Sequence, residues 1–473
     1  MLTPEQIEEL NRFDRLIQDW AKKFGLDCYP QEFDIIDSEK MAELMTSGNL
    51  PTTFNHWSYG RDFEAIKTAW RLNRANLPME VVYNANPSRG YICGTDPFVV
   101  MLLVMAHVYG HNDFFKNNFW LLQGRKDMLG FMADAARRFK RYEDTYGVEA
   151  VEKTLTAALA LQWNIEPFRL ERPDFQEQIE AKILETRAKA KKDQKTLDLK
   201  KLRTDLEKQI PFEPDRDIIG FLKDVSPTLE DWQRDILAVV RERAHYLFPN
   251  FRTKTMNEGW AVYWHENIMD ELIKAKLISN ADRDIYMDTQ SKVLADWMVA
   301  QNPYWLGREI WKHIIKKHGL KKAFDVRANY RDIEFVEEFL EDELIRQLKL
   351  YIYERYEDHI DGQDVYVYEI ADKNPKRVRE RIVDSLKKIP DAPVIRVTRS
   401  NFNKDGELLL LHDFNENQEE LDGEHLAKTL EHVYHLWGKP VWIQTREPNV
   451  KSSSGFASIL YGYDGSRHQK QLI

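Results

Sequence analysis

The chain has 473 residues, a formal net charge of −10 and a pI near 5.8. This length predicts roughly two to three domains, and 43% hydrophobic residues are enough to bury a core, which excludes a disordered protein. The acidic balance argues against nucleic acid as the main partner. The two cysteines, Cys28 and Cys93, are too few for a disulfide framework and indicate a reducing compartment.

No stretch of the sequence has the pattern of a leader or a membrane span. The first residues are acidic and amphipathic, without the basic and apolar regions of a signal peptide. The longest apolar run, residues 97–106, is far shorter than the roughly 20 residues that a membrane-spanning helix needs. We therefore expect a cytoplasmic protein with no membrane span.

Helices are the predicted elements over most of the first 361 residues. Thr3 and Pro4, with Gln6 at the capping-box position, predict a first helix that ends near Gly25. A run dense in Lys, Glu and Asp at about residues 172–210 predicts a charged insertion, either a solvated helix or a mobile segment, and its mixed signs favour the helix. Apolar periodicity predicts the remaining elements: helices from about 62 and at 97–111, 126–147, 148–164, 228–245, 256–276, 281–298, 305–318 and 332–341, and short strands at 32–37 and 79–84.

After about residue 362 the pattern changes to alternating strands and helices. The predicted strands are 365–370, 394–399, 407–412 and 440–445, and the predicted helices are 376–388 and 424–437. That order, β-α-β-β-α-β, is typical of the ferredoxin-like split unit. The expected fold class is therefore mainly α, with a large helical domain over residues 1–361 and a small α+β ferredoxin-like domain over residues 362–473.

Two histidines four residues apart are the first candidates for chemistry. His107 and His111 follow a strongly apolar run, so they lie on one face of a predicted buried helix, at the spacing that holds one metal ion. Glu258 stands near the start of a later helix, and two histidines plus such a glutamate are the ligand set of a large class of zinc peptidases. Those peptidases carry their general-base glutamate directly after the first histidine. Here that residue is Val108, so another carboxylate would have to act as the base.

Glu242 and His265 are further candidates for base or ligand. His265 lies seven residues after Glu258, on the same face but roughly 10 Å along the helix, so one of the two would bind the metal and the other would support it. Glu242 and His245 form one Glu-x-x-His pair of the kind found in di-iron bundles. Zinc is the expected metal, with iron and manganese left open because histidine and glutamate suit all three. The competing interpretation is a buried polar network of the same residues without a metal.

Five more residues have a functional and a structural interpretation. Asn112 and Asp113, directly after His111, either contact substrate or cap the helix locally. His56 and Trp57 lie on an aromatic-rich predicted loop, where binding residues concentrate. Tyr304 either donates to an oxyanion or packs structurally. We assign the first four to substrate binding and Tyr304, with Glu258 and Glu242, to catalysis.

Several long motifs resemble those of one protein family. HVYGHNDFFKNN at 107–118 and MNEGWAVYWH at 256–265 look like the two hallmark motifs of the SpoVR family, the stage V sporulation protein R-like proteins. HWSYG at 56–60, preceded by Leu50-Pro51-Thr52, is similar to the family's proline-then-HWSFG stretch, and NPYWLG at 302–307 is a further match. The resemblance extends over nearly the whole chain.

The resemblance has implications for function. Glu258-Gly259-Trp260-Ala261 is also similar to a segment of some bacterial zinc peptidases, which implies a metallopeptidase-like helical core with His107, His111 and Glu258 as zinc ligands and a fourth position for water. The leading hypothesis is a metal-dependent hydrolase of an amide or peptide-like bond, linked to spore cortex or cell-envelope formation. The alternative is a non-catalytic regulatory or scaffold protein that acts with the serine protein kinase and the von Willebrand A-type protein encoded beside many family members.

Overall fold

The structure, a computed structural model, describes residues 2–46, 53–71, 80–167, 174–192, 196–295, 302–360, 363–390, 392–414, 420–452 and 455–472. Parts of five predictions lie outside these residues: the Leu50-Pro51-Thr52 stretch, the start of the strand predicted at 79–84, residues 172–173 and 193–195 of the charged insertion, the end of the helix predicted at 281–298, and the domain boundary at 361–362. The chain forms two compact units, Met1–Ala136 with Pro249–Ile389, and Arg137–Phe248 with Pro390–Ile473. Each unit is therefore assembled from two separate stretches of sequence.

The described residues are mainly helical, as predicted. The helices are α1 Pro4–Lys23, α2 Ser38–Thr46, α3 Trp57–Arg71, α4 Phe98–Asn117, α5 Phe119–Leu122, α6 Met128–Tyr146, α7 Val148–Ala160, α8 Phe175–Lys192, α9 Leu199–Glu207, α10 Ile218–Val225, α11 Asp231–Arg252, α12 Lys254–Lys274, α13 Asn280–Val293, α14 Pro303–His318, α15 Leu320–Asn329, α16 Asp332–Phe339, α17 Asp342–Leu348, α18 Pro375–Lys387 and α19 Gly423–Trp437. The charged stretch predicted as an insertion contains α8 and α9. The predicted capping box of Thr3 and Gln6 is present at the start of α1.

Within the described residues, ten strands form three sheets. The strands are β1 Gln31–Ile36, β2 Glu80–Tyr83, β3 Ser88–Cys93, β4 Ile352–Ile360, β5 Gln363–Asp372, β6 Ile395–Phe402, β7 Glu407–His412, β8 Val441–Ser452, β9 Gly455–Tyr463 and β10 His468–Leu472. In the first unit β3 lies between β1, which is parallel to it, and β2, which is antiparallel, and β4 pairs with β5 alone. In the second unit the sheet order is β10-β9-β8-β7-β6, with β7 and β8 parallel.

The C-terminal sheet differs from the predicted ferredoxin-like arrangement. The predicted strand 365–370 exists within β5, but it pairs with β4, a strand that precedes it along the chain and that the sequence analysis missed. The predicted helix 376–388 exists as α18 and belongs to the first unit. Two strands that are close in sequence lose little chain entropy when they pair. Because β5 pairs with β4 and α18 belongs to the first unit, the first strand and the first helix of the predicted ferredoxin-like order are not part of the C-terminal sheet. The missed strands β9 and β10 complete that sheet instead.

Helix α4 is the core of the first unit. Every residue from Val99 to Phe115 is buried, which explains why the apolar residues of this helix lie on all of its faces rather than on one stripe. By length and composition α4 could cross a membrane, but 94% of its most apolar window is buried inside the protein. It shares one hydrophobic cluster with α1, α12, α14 and α16.

Glycines allow α4, α12 and α14 to approach one another closely. A Cβ at Gly110 of α4 would lie 2.6 Å from the Cα of Ala261 on α12. A Cβ at Gly259 of α12 would overlap the backbone of Gly307 on α14. Backbone contact at these crossings needs residues without a side chain. The glycines of three family-like motifs therefore fix the spacing of the helices that carry the candidate site.

Candidate metal centre

Four side chains of the first unit converge on one point. His107 and His111 lie one turn apart on α4, with ring centroids 4.6 Å apart. Glu258 comes from the first turns of α12 and Glu80 from the first residue of β2. One ligand atom from each of these four residues lies within 4.8 Å of every other. The structure thus brings together three of the predicted residues and adds Glu80, which the sequence analysis missed.

The position of Glu258 follows from how α12 begins. The Asp332 carboxylate accepts hydrogen bonds from the backbone N–H groups of Thr255 and Met256, both at 2.8 Å. These are among the N–H groups that a helix start leaves without partners, so Asp332 caps the helix from a distant part of the chain. The contact of Gly259 with α14 then fixes the helix against its neighbour. The position of Glu258 is therefore fixed by the Asp332 cap on the residues before it and by the helix contact of Gly259 after it.

Nitrogen and oxygen atoms alternate around the centre at nearly equal distances. The Nε2 atom of His107 lies 3.2 Å from Glu80 Oε1 and 3.5 Å from Glu258 Oε2. The Nε2 atom of His111 lies 3.3 Å and 3.4 Å from the same two oxygens. A tetrahedral zinc ion with ligands at about 2.0–2.2 Å separates neighbouring donor atoms by about 3.3–3.6 Å. The spacing therefore fits a small tetrahedral cation at the centre.

The hydrogen bonds on the outer nitrogens determine which imidazole atom faces the centre. His111 Nδ1 lies 2.9 Å from the Asn257 side-chain oxygen, an acceptor, so Nδ1 carries a hydrogen and donates it. His107 Nδ1 lies 2.8 Å from His265 Nδ1. Both Nε2 atoms are thereby directed at the two carboxylates. His107 Nε2 and Glu258 Oε2 are buried and form no hydrogen bond within the described residues, as expected of atoms that a metal ion would join.

The electrostatics of the centre favour a cation. Burial alone would raise the pKa of Glu258, but the imidazoles of His107 and His111 outweigh it and hold that pKa well below its usual range. Burial alone would lower the pKa of His111, yet Glu258 and Glu80 outweigh it and raise it to about 10. The Glu258 carboxylate thus retains its negative charge against burial. A metal ion would replace the proton that balances this charge.

The side chains of the two glutamates are more exposed to solvent than those of the two histidines. The side chains of His107 and His111 are 4% and 5% exposed, whereas those of Glu80 and Glu258 are 18% and 15% exposed. Tyr304, at the start of α14, stacks its ring on His107 with the centroids 6.0 Å apart. The charge of Glu258, then burial and the charge of Glu80, raise the pKa of Tyr304 well above its usual value. Its hydroxyl therefore remains protonated beside the carboxylates.

His265, a predicted ligand or supporting residue, does not converge with the four donors. Its two ring nitrogens contact His107 Nδ1 and the side-chain oxygen of Gln290, both at 2.8 Å. Of the two arrangements that the helix spacing left open, this geometry matches the one in which Glu258 faces the metal and His265 supports a ligand.

Asn112 and Asp113 lie in a buried network that joins α4 to other parts of the first unit. Asp113 accepts hydrogen bonds from Trp260 Nε1 and the Asp27 backbone at 2.8 Å, and forms an ion pair of 2.7 Å with Arg327. Asn112 accepts from the Tyr29 N–H at 2.7 Å, and its amide donates to the Tyr29 carbonyl and to Gln31. Both residues are 0% exposed. These contacts with distant segments differ from the local helix cap of the structural interpretation, and the contact with substrate stays a prediction.

The remaining candidates are not members of the convergent group. His56 precedes α3 and lies 2.7 Å from the Ser58 hydroxyl through Nδ1. Trp57 is 54% exposed, with the Arg61 guanidinium over its ring. Glu242 lies on α11 within the second unit, whereas the four donors all belong to the first. Their assigned roles stay predictions.

Comparison with known proteins covers almost the whole sequence. Residues 4–390 match the family model described as SpoVR like protein, and residues 393–448 match the SpoVR-like C-terminal domain. The chain belongs to the SpoVR family. All four convergent residues lie within the SpoVR region, as do the glycines that space their helices. The predicted family assignment is confirmed.

A curated SpoVR relative shows how far the similarity extends. The Escherichia coli (strain K12) protein named "Uncharacterized protein YcgB" is 26% identical over 467 residues, which cover 90% of this chain and 89% of that protein. No solved structure matches the chain. The comparisons therefore establish the family.

Proposed function

We propose that this SpoVR protein is a metal-dependent hydrolase of an amide or peptide-like bond. The observation that carries the proposal is the convergence of His107, His111, Glu258 and Glu80, with both Nε2 atoms directed at the two carboxyl groups. The separations of 3.5 and 3.4 Å between Glu258 Oε2 and the two Nε2 atoms support zinc over metals that prefer octahedral sites, where donors at about 2.1 Å lie only about 3.0 Å apart.

Glu80 takes the role of the general-base glutamate, in whose usual position this sequence has Val108. A bound metal would lower the pKa of water and polarise a substrate carbonyl. Glu80 would accept the proton of the attacking water, and its partial exposure lets it exchange that proton with solvent. His107, His111 and Glu258 would hold the ion. Tyr304, which stays protonated, would donate a hydrogen bond to the oxygen that gains negative charge.

The family membership supports the finer parts of the proposal. The resemblance to SpoVR proteins implies a substrate among the amide bonds of cell-envelope building blocks and a cytoplasmic location. It also implies that a serine protein kinase and a von Willebrand A-type protein act with this chain. The metallopeptidase-like assignment is supported by the two-histidine helix followed by a glutamate-bearing helix.

A second function is favoured by one feature of the same site. If both carboxylates bind, four protein atoms complete a tetrahedron, which is typical of a structural metal rather than a catalytic one. The protein would then be a regulatory or scaffold protein with a metal-stabilised core. The two functions differ in whether Glu80 binds the metal or acts on water.

Two matched substitutions test the proposal. Glu258→Gln should lose the metal, whereas Glu80→Gln should keep it and lose about 10²–10⁴-fold in hydrolysis. Glu271→Gln, near the end of α12 and paired with Lys274, is the control. The measurements are metal content and mass spectrometry of peptidoglycan peptides incubated with each protein. Metal loss in both active-site variants, with no product from the wild type, would favour the structural metal.

Cobalt substitution provides a separate test of whether the metal has a coordination position that no protein atom fills. A catalytic site keeps a position for water, so adding azide to the Co²⁺-loaded protein should change its visible spectrum. An unchanged spectrum would mean that protein atoms close the site and would contradict the hydrolase.

A further inference from the structure

A row of hydrogen-bonded side chains leads from His107 to Arg308. The Arg308 guanidinium donates to both oxygens of Glu266, at 2.7 and 2.9 Å. The Gln290 amide nitrogen donates to Glu266 at 3.0 Å, and its carbonyl oxygen lies 2.8 Å from His265 Nε2. His265 Nδ1 then lies 2.8 Å from His107 Nδ1. All five residues belong to the first unit.

The direction of each hydrogen bond follows from the charged end of the row. Arg308 can only donate, so both oxygens of the Glu266 carboxyl group are acceptors. A carboxylate attracts the amide nitrogen of Gln290 and not its oxygen, so that oxygen faces His265. Because the oxygen can only accept, the hydrogen lies on Nε2 of His265.

The burial of His265 determines which ring carries the hydrogen between His265 and His107. His265 is fully buried, and the atoms facing its two nitrogens are an amide oxygen and an imidazole nitrogen, neither of which is negatively charged. A buried charge without an ionic partner is strongly disfavoured, so His265 is neutral and carries only the hydrogen on Nε2. Its Nδ1 atom accepts, and the hydrogen between the two rings must belong to His107 Nδ1.

We propose that Gln290 is a positioning residue for the metal centre: through His265 it fixes the hydrogen of His107 on Nδ1, which leaves Nε2 as the metal-binding atom. Glu266 and Arg308 orient Gln290. The inference rests on the proposed metal site, and it adds three residues that no motif or ligand spacing indicates. Groups that hold a ligand imidazole in this way typically contribute about 10–100-fold to metal affinity.

Substitutions at Gln290 test the proposal through Zn²⁺ affinity, measured by competition with a chromophoric chelator. Gln290→Leu removes the acceptor and should weaken Zn²⁺ binding by about 10–100-fold. Asp288→Asn, an exposed change on the same helix, should not alter it.

Nitrogen-15 NMR of the metal-free wild-type protein, with labelled histidines, observes the hydrogen positions directly. We expect the Nδ1–H form for His107 and the Nε2–H form for His265, assigned by single-histidine substitutions. A hydrogen only on Nε2 of His107 would overturn the inference, even if Gln290→Leu fails to fold. Equal Zn²⁺ affinity for Gln290→Leu and Asp288→Asn would also overturn it while leaving the metal site intact. If the wild type binds no metal, the proposed function fails, and the NMR result alone decides the role of Gln290.

Discussion

Gly259 of α12 and Gly307 of α14 are in backbone contact, so that a Cβ on either one would overlap the other helix. Glu258 is next to the first glycine and Tyr304 lies one turn before the second. This crossing therefore sets the distance between a candidate metal ligand and a candidate hydrogen-bond donor. The glycines belong to the site although they have no side chain to contribute.

Gly307→Ala should destabilise the protein by at least about 1–3 kcal/mol, because the added methyl group meets the Thr255 carbonyl rather than a movable side chain. The free energy of unfolding from urea titration measures this. Gly130→Ala is the control, since no atom lies within 4 Å of a Cβ at that exposed helical position. It should leave stability unchanged or raise it by up to about 1 kcal/mol. Equal effects of the two changes would show that the crossing tolerates a side chain.

Asn257 should tune metal binding through His111. Asn257→Leu removes the acceptor of the Nδ1 hydrogen and should weaken Zn²⁺ binding by about 10–100-fold, whereas Asn257→Asp keeps an acceptor and should bind at least as tightly as the wild type. Chelator competition measures both affinities. If the leucine variant bound as tightly as the aspartate variant, His111 would not depend on Asn257.

Arg327→Met should lower the free energy of unfolding by about 3–5 kcal/mol, because Asp113 would remain as a buried charge without its partner. The metal content of the folded fraction should not change, since neither residue is among the convergent donors. This comparison separates the structural role of Asp113 from the predicted contact with substrate. Loss of hydrolysis without loss of stability would support the predicted contact between Asp113 and substrate.

Stability should depend on pH through Asp332. Burial, only partly opposed by the hydrogen bonds from Met256 and Thr255, raises the pKa of Asp332 from 3.8 to about 7. A raised carboxyl pKa means that the folded protein holds the proton more tightly. The resulting stabilisation is complete below about pH 4 and is lost as the pH rises through about 7.

The matched variant is Asp332→Asn, whose amide does not titrate. On acidification from about pH 7 to 4 the wild type should gain stability relative to this variant, by up to about 1.4 kcal/mol per pH unit. Urea unfolding of both proteins at several pH values in that range measures the difference. A wild type that loses stability relative to the variant on acidification would show that the start of α12 favours the charged carboxylate.

The sequence predicted the parts of the site that share a helix or a motif. His107 and His111 are four residues apart, and Glu258 lies in a long family-like motif, so spacing and resemblance led to all three. Glu80 stands alone on a short strand, and only the packing of β2 beside α4 brings it to the centre. Gln290 was missed for the same reason, because no local pattern distinguishes it from a polar residue on a helix surface.

The fold was predicted unevenly for similar reasons. The apolar run that predicted α4 and the capping pattern of α1 are local, and both helices are present. The pairing of β5 with β4 is a choice between competing partners, and the strand pattern alone does not specify it. The sequence analysis did not predict β4, β9 and β10, and for this reason the expected ferredoxin-like sheet differs from the observed one.

Metal content by inductively coupled plasma mass spectrometry tests the central claim most directly, on wild-type protein and His111→Ala purified without a histidine tag. We expect about one equivalent of metal, zinc by the donor spacing, in the wild type and its loss in the variant. If the wild type holds no metal even after Zn²⁺, Fe²⁺ or Mn²⁺ is added, or if His111→Ala keeps a full equivalent, these four residues are not a metal centre.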